Sequence, residues 1–174
     1  MVKSLRIALV GSVALLVAAA CSTKSQRAAP SYSKVISSQD IDGKPVGAAT
    51  DKDATIVVFF ATWCHPCREE LKMLTALRAD QPRVRIIGVN AYEEWSNQSN
   101  NEKLRSFLKA NADWLQVVRA NKDLFDAFGG VPKIPSMFVF DSKGRMVKEF
   151  RRAKRPPPSR HEVDQVLAGI KPAA

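Results

Sequence analysis

Two cysteines, Cys64 and Cys67, stand two residues apart directly after an apolar stretch of this 174-residue chain. At the start of a helix, thiols at this spacing are close enough to form a reversible disulfide. The first thiol would lie where unpaired backbone N–H groups and the helix dipole favour a thiolate. The spacing therefore predicts a thiol–disulfide redox site in which an exposed Cys64 attacks and a buried Cys67 resolves.

The residues on either side predict the elements that must hold this pair. Residues 55–61 are apolar on both faces and rich in β-branched and aromatic types, which indicates a buried strand of a parallel sheet. A helix follows to about Ala79, and Pro66 fits its first turn, where a missing N–H costs nothing. Trp63 gives the Cys64 sulfur an apolar neighbour.

Half of a zinc site and two unrelated thiols are the alternatives for two cysteines at this spacing. A structural zinc site needs four ligands, whereas the chain offers three cysteines and two widely spaced histidines. The strand-then-helix context also favours redox chemistry. We therefore predict no metal here.

The segment around the cysteines, WCHPC at residues 63–67, resembles the active-site segment of the thioredoxin superfamily. The wider segment, FFATWC-x-PCR-x-E at residues 59–70, resembles its extracytoplasmic TlpA/ResA branch, which includes the DsbE/CcmG proteins. This resemblance implies an α/β, thioredoxin-like fold: a central mixed β-sheet flanked by helices, with an added N-terminal β-hairpin. It also implies that the redox-active disulfide works without a further cofactor.

A second stretch, Ile134-Pro135 heading an apolar run, resembles the cis-proline loop of the same superfamily. Proline cannot occupy the inside of a central strand but can begin one. The resemblance implies a cis Ile134–Pro135 bond, with Pro135 against the cysteine pair and the Ile134 backbone free to pair with an extended substrate. The residues expected to bind substrate are Trp63, His65, Pro66, Ile134 and Pro135.

The remaining pattern predicts one domain, for which an apolar fraction of 45% supplies a core. The other expected elements, in chain order, are a hairpin from Val35 to Val46 that turns at Asp42-Gly43, a buried strand over residues 84–90, a polar loop over 91–101, a helix over 102–112, a short strand over 115–119, a helix over 123–128, a hairpin formed by 137–140 and 146–150, and a last helix that Ser159 caps and Ile170 ends.

The first 20 residues are typical of an export signal, since Lys3 and Arg6 precede an apolar run of about fourteen residues that is too short to span a membrane comfortably. The sequence AAAC at residues 18–21 resembles a bacterial lipobox, in which the cysteine becomes the lipidated first residue. Leu is usual where this chain has Ala18, so ordinary cleavage after Ala20 stays open. Lipidation of Cys21 would leave no odd thiol in an oxidising compartment.

These features divide the chain into a signal peptide (1–20), a lipidated cysteine with a flexible tether (21–33) and a thioredoxin-like domain (34–171). Residues 22–33 are polar and contain Pro30 and small side chains, which suits a tether. We expect an exported protein, held by its lipid on the periplasmic or extracytoplasmic face of a bacterial membrane. Whether that membrane is inner or outer stays open.

Attack by a buried Cys67 needs a base. Thioredoxin itself has a buried aspartate on the strand before the motif, but that position is Val58 here. Glu70 lies three residues after Cys67 on the same side of the helix, and it matches the glutamate that follows C-x-P-C in TlpA/ResA-like proteins. We predict that Glu70 accepts the Cys67 proton, although a solvated helix glutamate is the simpler alternative.

The direction of electron flow is less sharply defined. A protonated His65 would stabilise the Cys64 thiolate and favour an oxidase or isomerase. The resemblance favours a reductase of disulfides in specific partner proteins, which an upstream thiol reductant embedded in the membrane must regenerate. We prefer the reductase.

A protein of the same fold that binds or handles copper is a further alternative, because thiolates bind Cu(I) and Met73, Met137 and Met146 supply soft ligands. Against it, copper modules of this fold tend to add a spaced histidine, and no histidine here follows a strand near the cysteines.

The net charge of the chain says less about its partners than the motifs do. Lysine and arginine total 27 against 17 acidic residues, a formal net charge of +10. Lys3 and Arg6 belong to the first 21 residues, which contain no acid, so the remainder carries +8. This excess suits an anionic membrane surface or acidic partners, and it serves solubility equally well. Basic charge without a nucleic-acid motif predicts no nucleic-acid binding.

Overall fold

The computed structural model describes residues 27–93 and 101–173, and it contains five helices and five strands over those ranges. In chain order these are α1 (Pro30–Ile36), β1 (Ala54–Phe60), α2 (His65–Asp80), β2 (Val84–Asn90), α3 (Asn101–Asn111), β3 (Gln116–Arg119), α4 (Lys122–Ala127), β4 (Ser136–Asp141), β5 (Met146–Phe150) and α5 (Arg160–Ala168).

The strands form one mixed sheet in the order β3-β2-β1-β4-β5. The first three run parallel, whereas β4 and β5 are antiparallel to their neighbours. Phe59 near the end of β1 pairs with Ser136 at the start of β4. The turn after β1 and the loop before β4 therefore lie at the same end of the sheet, and they place Cys64 and Pro135 at that end.

Two hydrophobic clusters cover the two faces of the sheet, and every residue of β1 is buried. Ile56, Val58 and Phe60 belong to the cluster that contains the cysteines and residues of α2, α3 and α5. Val57 and Phe59 belong to the other, with residues of α1 and α4. A strand covered on both faces must be apolar throughout, as its sequence is.

The N-terminal part of the domain differs from the expected hairpin. Val35 and Ile36 lie on helix α1, so the hairpin is reduced to one bridge between Gln39 and Pro45 around the Asp42-Gly43 turn. Pro30 at the first turn favours a helix. The helix begins inside the predicted tether and buries side chains against the sheet; these are Ser31, Tyr32 and Val35.

The other predicted elements are present, with boundaries shifted by at most a few residues. In the last helix, Ser159 is the N-cap and exchanges hydrogen bonds with Glu162 in a capping box. Across residues 27–93 and 101–173, no helix is long and apolar enough to cross a membrane. The signal peptide, Cys21 and residues 94–100 of the predicted polar loop lie outside the described residues.

Candidate redox site

Cys64 is the N-cap of α2. Its backbone is extended (φ −83°, ψ 106°), and its sulfur accepts a hydrogen bond of 3.3 Å from the backbone N–H of Cys67. The two sulfurs form a disulfide across Cα atoms 5.3 Å apart. An N-cap thiolate faces the unpaired N–H groups of the first turn, so this position stabilises Cys64 in its reactive form.

Both cysteines are buried in this disulfide form, contrary to the expectation of an exposed Cys64. The exposed fraction is 4% for Cys64 and 1% for Cys67. The neighbouring Trp63, His65 and Pro66 are exposed and line a cleft together with Cys64. Of the two cysteines, Cys64 alone lines the adjacent cleft, so a substrate can approach only the first of them.

A cleft of about 380 Å³ opens beside the disulfide between α2, the loop after β2 and the loop before β4. The Ile134–Pro135 peptide bond is cis, as predicted. The cleft is lined by Trp63, Cys64, His65, Pro66, Tyr92, Pro132, Lys133, Ile134 and Arg152. Four predicted substrate-binding residues, Trp63, His65, Pro66 and Ile134, are thus placed around one opening.

Glu70 is buried on α2, with 4% of its surface exposed. Neither carboxyl oxygen has a hydrogen-bond partner within the described structure, and burial raises the pKa of this carboxyl to about 8. A solvated helix glutamate is therefore excluded. The strand position that carries an aspartate in thioredoxin is Val58 here. Val58 is buried in the cluster that holds the cysteines, and as a valine it supplies no acid.

A second buried carboxylate, Glu93, lies directly after β2, at the start of the segment that the sequence predicts as a polar loop. One oxygen accepts hydrogen bonds from the Thr62 backbone N–H (2.7 Å) and the Asn90 side chain (2.6 Å), and the other from the Thr62 hydroxyl (2.8 Å). Glu93 therefore ties the segment that leads into the cysteines to the end of β2. Thr62 and Glu93 lie 31 positions apart, so no local pattern could reveal this pairing.

Trp63 is also held across the cleft. Its indole N–H donates a 2.9 Å hydrogen bond to the carbonyl of Tyr92, whose backbone is left-handed (φ 61°). The Tyr92 hydroxyl donates to the carbonyl of Val131, just before the cis-proline loop. Tyr92 thus links two walls of the cleft, a role that no pattern in the sequence predicts.

The soft ligands of the copper alternative are dispersed. Met137 is buried in the same cluster as the cysteines and Met73 packs against that cluster, whereas Met146 is exposed at the far end of the sheet. Within the described ranges, no three histidine, cysteine or acidic side chains group as a metal site would require.

A family model for Redoxin matches residues 24–167, most of the chain. The chain belongs to the Redoxin family. This assignment agrees with the thioredoxin-like sheet and with the placement of a Cys-x-x-Cys pair at the start of α2.

Individual Redoxin relatives carry names that describe thiol–disulfide chemistry. Sporulation thiol-disulfide oxidoreductase A of Bacillus subtilis is 26% identical over 144 residues, covering 82% of this chain and 84% of the relative. Thiol-disulfide oxidoreductase ResA of Bacillus thuringiensis is 21% identical over 137 residues, covering 76% of this chain and 73% of ResA. The predicted TlpA/ResA-like relationship is confirmed.

Among solved structures, a thiol:disulfide interchange protein of the thioredoxin family from Chlorobium tepidum superposes with a TM-score of 0.58. The two sequences are 26% identical, and the match covers 75% of this chain and 89% of that chain. The α/β thioredoxin-like fold is therefore confirmed, and this Redoxin protein is a thiol–disulfide oxidoreductase.

Proposed function

We propose that this Redoxin protein is a membrane-anchored, extracytoplasmic reductant of disulfides in specific partner proteins. The observation that carries the proposal is the arrangement of three groups on one helix. Cys64 lines the cleft, Cys67 lies behind it, and Glu70 presents a buried carboxyl one turn further along.

The reaction transfers two electrons from the cysteine pair to the substrate. The Cys64 thiolate attacks one sulfur of a substrate disulfide, forms a mixed disulfide and displaces the other substrate sulfur as a thiolate, which takes a proton. Cys67 then attacks the Cys64 sulfur and displaces the second substrate thiolate. The protein is left as the disulfide seen here, and an upstream thiol donor must reduce it again.

The second step requires the Cys67 thiol to lose its proton in an apolar cluster, where burial opposes charge. With a pKa of about 8, Glu70 is matched to a thiol whose free pKa is about 8.5. A carboxylate matched in this way can take the proton as Cys67 attacks, and it is protonated again in the resting disulfide form at neutral pH.

The cleft supplies the surface for the substrate. The Ile134 backbone makes no backbone hydrogen bond within the described structure, so an extended substrate segment can pair with it beside the cis-proline. The exposed Trp63 ring offers an apolar contact next to the reactive sulfur.

The comparisons and the N-terminal sequence support the activity and the location. The relatives that align over most of the chain are named thiol-disulfide oxidoreductases, and a secreted disulfide oxidoreductase of Mycobacterium tuberculosis has the same fold. The basic, apolar start of the chain suits export, and Cys21 suits lipidation.

The test is the reduction potential of the Cys64–Cys67 pair, measured by equilibrating the protein with dithiothreitol buffers and counting free thiols. A reductase should have a potential near that of thioredoxin, about −270 mV, and a value near about −120 mV would identify an oxidant instead. In parallel, Cys67→Ala should accumulate a mixed disulfide through Cys64 with a model disulfide, and absence of that adduct would refute the mechanism.

A further inference from the structure

The cleft beside the disulfide carries two positive charges for which the redox chemistry has no use. Lys133 lies two residues before Pro135, and Arg152 follows the end of β5. Both line the cleft with Cys64, and none of the described lining residues is acidic. The remaining lining residues are aromatic or apolar side chains, the Cys64 sulfur and His65, so the charge of the cleft has one sign.

Neither cation is neutralised within residues 27–93 and 101–173, where no carboxylate pairs with Lys133 or Arg152. The neighbouring arginines differ: Arg151 pairs with Glu149, and Arg155 pairs with Glu162. The Arg152 guanidinium donates a single hydrogen bond of 3.4 Å, to the carbonyl of Arg155. Most of its donors therefore remain available to a ligand in the cleft.

The backbone fixes both charges beside the reactive sulfur. The Arg152 N–H donates a 3.1 Å hydrogen bond to the Ser136 hydroxyl, and that hydroxyl donates a 2.8 Å bond to the Lys133 carbonyl. Ser136 thus joins the two cationic segments at the first residue of β4. A side-chain substitution at either cation leaves the Arg152 N–H and the Lys133 carbonyl in place.

We propose that the cleft selects substrate proteins whose reactive cysteine is flanked by acidic residues, an inference that rests on the proposed function. A substrate sulfur must enter the cleft to reach Cys64, so the residues beside that sulfur pass close to Lys133 and Arg152. A guanidinium can bind a carboxylate with two parallel hydrogen bonds, and an ammonium adds a second point charge.

The experiment uses the reduced protein and three synthetic peptide disulfides of equal length. They differ only in the residues flanking the cysteine, which are aspartates, asparagines or lysines. Single-turnover rates at low ionic strength should favour the aspartate peptide over the lysine peptide by roughly tenfold or more, because charge steering raises encounter rates on that scale. About 1 M salt should remove the preference, since it shortens the screening length to about 3 Å.

The double variant Lys133→Glu/Arg152→Glu should invert the ratio of the two rates. Because the ratio is taken within one variant, changes in folded fraction or in Cys64 reactivity cancel. The control is Lys44→Glu/Lys143→Glu, which changes the net charge equally at two exposed lysines outside the cleft and should keep the wild-type ratio.

Equal rates for the two charged peptides, or a ratio unchanged in the cleft variant, would overturn the inference. So would a ratio that both variants change equally, because net charge would then explain it. If the asparagine peptide is still reduced in a Cys64-dependent manner, the proposed function survives such a result. If no peptide is reduced, the proposed function fails and the inference fails with it.

Discussion

Glu70, the proposed proton acceptor, occupies a position that is unfavourable for stability. A buried carboxyl without a hydrogen-bond partner is unfavourable, and it avoids the larger cost of a buried charge by remaining protonated. Its pKa of about 8 is the result of that burial alone. An apolar residue at this position would pack without this cost, and the proposed proton transfer would explain why the helix carries a carboxyl instead.

Replacing Glu70 by Gln should leave the attack by Cys64 nearly intact and slow the resolution of the mixed disulfide. General-base assistance is typically worth about a hundredfold or more. The wild-type resolution rate should also rise with pH up to about 8 as Glu70 ionises. Rapid-quench experiments that follow formation and decay of the mixed disulfide separately would measure both effects.

The exposed neighbour supplies the control for this experiment. Glu69 pairs with Lys72 on the surface of α2, and Glu69→Gln should not change either step. Unchanged decay in Glu70→Gln would remove Glu70 from the mechanism. Glu93 would be a poor substitute, because both of its oxygens already accept hydrogen bonds from Thr62 or Asn90.

The same variant should change how stability depends on pH. In the disulfide form, Glu70 binds its proton more tightly when folded (pKa about 8) than when unfolded (pKa 4.5). Its contribution to stability is therefore complete below pH 4.5 and is lost as pH rises to about 8. Relative to Glu70→Gln, the free energy of unfolding of the wild type should fall by about 1.4 kcal/mol per pH unit within this window. Urea titrations of the two oxidised proteins would measure this difference. If the free energies of unfolding of the two proteins depend on pH in the same way, the raised pKa of Glu70 is contradicted.

At the residue scale, the sequence predicted those features of the site that depend on local spacing along the chain. Cys64 and Cys67 share the first turn of a helix, and Glu70 lies one turn further on, so their relation follows from helix geometry. The burial of Cys64 was not predictable from local spacing, since the cluster that contains it is formed by residues of strands and helices distant in the sequence. Lys133 and Arg152 line one cleft only because β4 and β5 pair, so no local spacing in the sequence predicts that they lie together.

Among the elements, α1 shows where a short pattern misleads. Val35 and Ile36 are β-branched and stand before a turn, which favours a strand. In the structure Tyr32 and Val35, three residues apart, pack one face of a helix against the sheet, and the Tyr32 ring lies 5.4 Å from that of Phe140. Tertiary packing decides the state of a segment this short, whereas β1 and α2 have patterns long enough to predict.

The docking of α1 depends on Gly144 in the turn between β4 and β5. Its carbonyl accepts a 2.8 Å hydrogen bond from the Ala29 N–H, its φ is +72°, and an added Cβ would lie 2.3 Å from the Tyr32 ring. Gly144→Ala should therefore destabilise the protein by both strain and overlap. We expect a loss of about 2–5 kcal/mol in chemical denaturation, the sum of a left-handed alanine and an overpacked contact.

Gly43 provides a matched control for the backbone effect. It has a similar φ of +78°, but an added Cβ would meet nothing within 4 Å. Gly43→Ala should cost only the left-handed strain, about 1–2 kcal/mol. Equal losses in the two variants would show that the contact between Tyr32 and the turn contributes nothing to stability.

On the scale of the molecule, the sheet separates the two ends of the domain. Cys64 and Pro135 lie where β1 ends and β4 begins, whereas Gly144, which binds Ala29, lies at the opposite end. The described chain therefore enters the domain at the end remote from the cleft. Ala29 is eight positions after Cys21, a span of at most about 29 Å when fully extended. An anchor at Cys21 would leave the cleft turned away from the membrane and open to partners in the surrounding compartment.

Lipidation of Cys21 is the prediction that decides whether this orientation applies. In cells fed a fatty-acid analogue, the wild-type protein should be labelled and should partition with membranes, because two or more acyl chains give stable anchoring. Cys21→Ser should lose the label and appear in the soluble fraction, while Cys64→Ser, which removes a different thiol, should keep it. Wild-type protein that is exported, unlabelled and soluble would instead support ordinary cleavage after Ala20, and the cleft would then be free to face any surface.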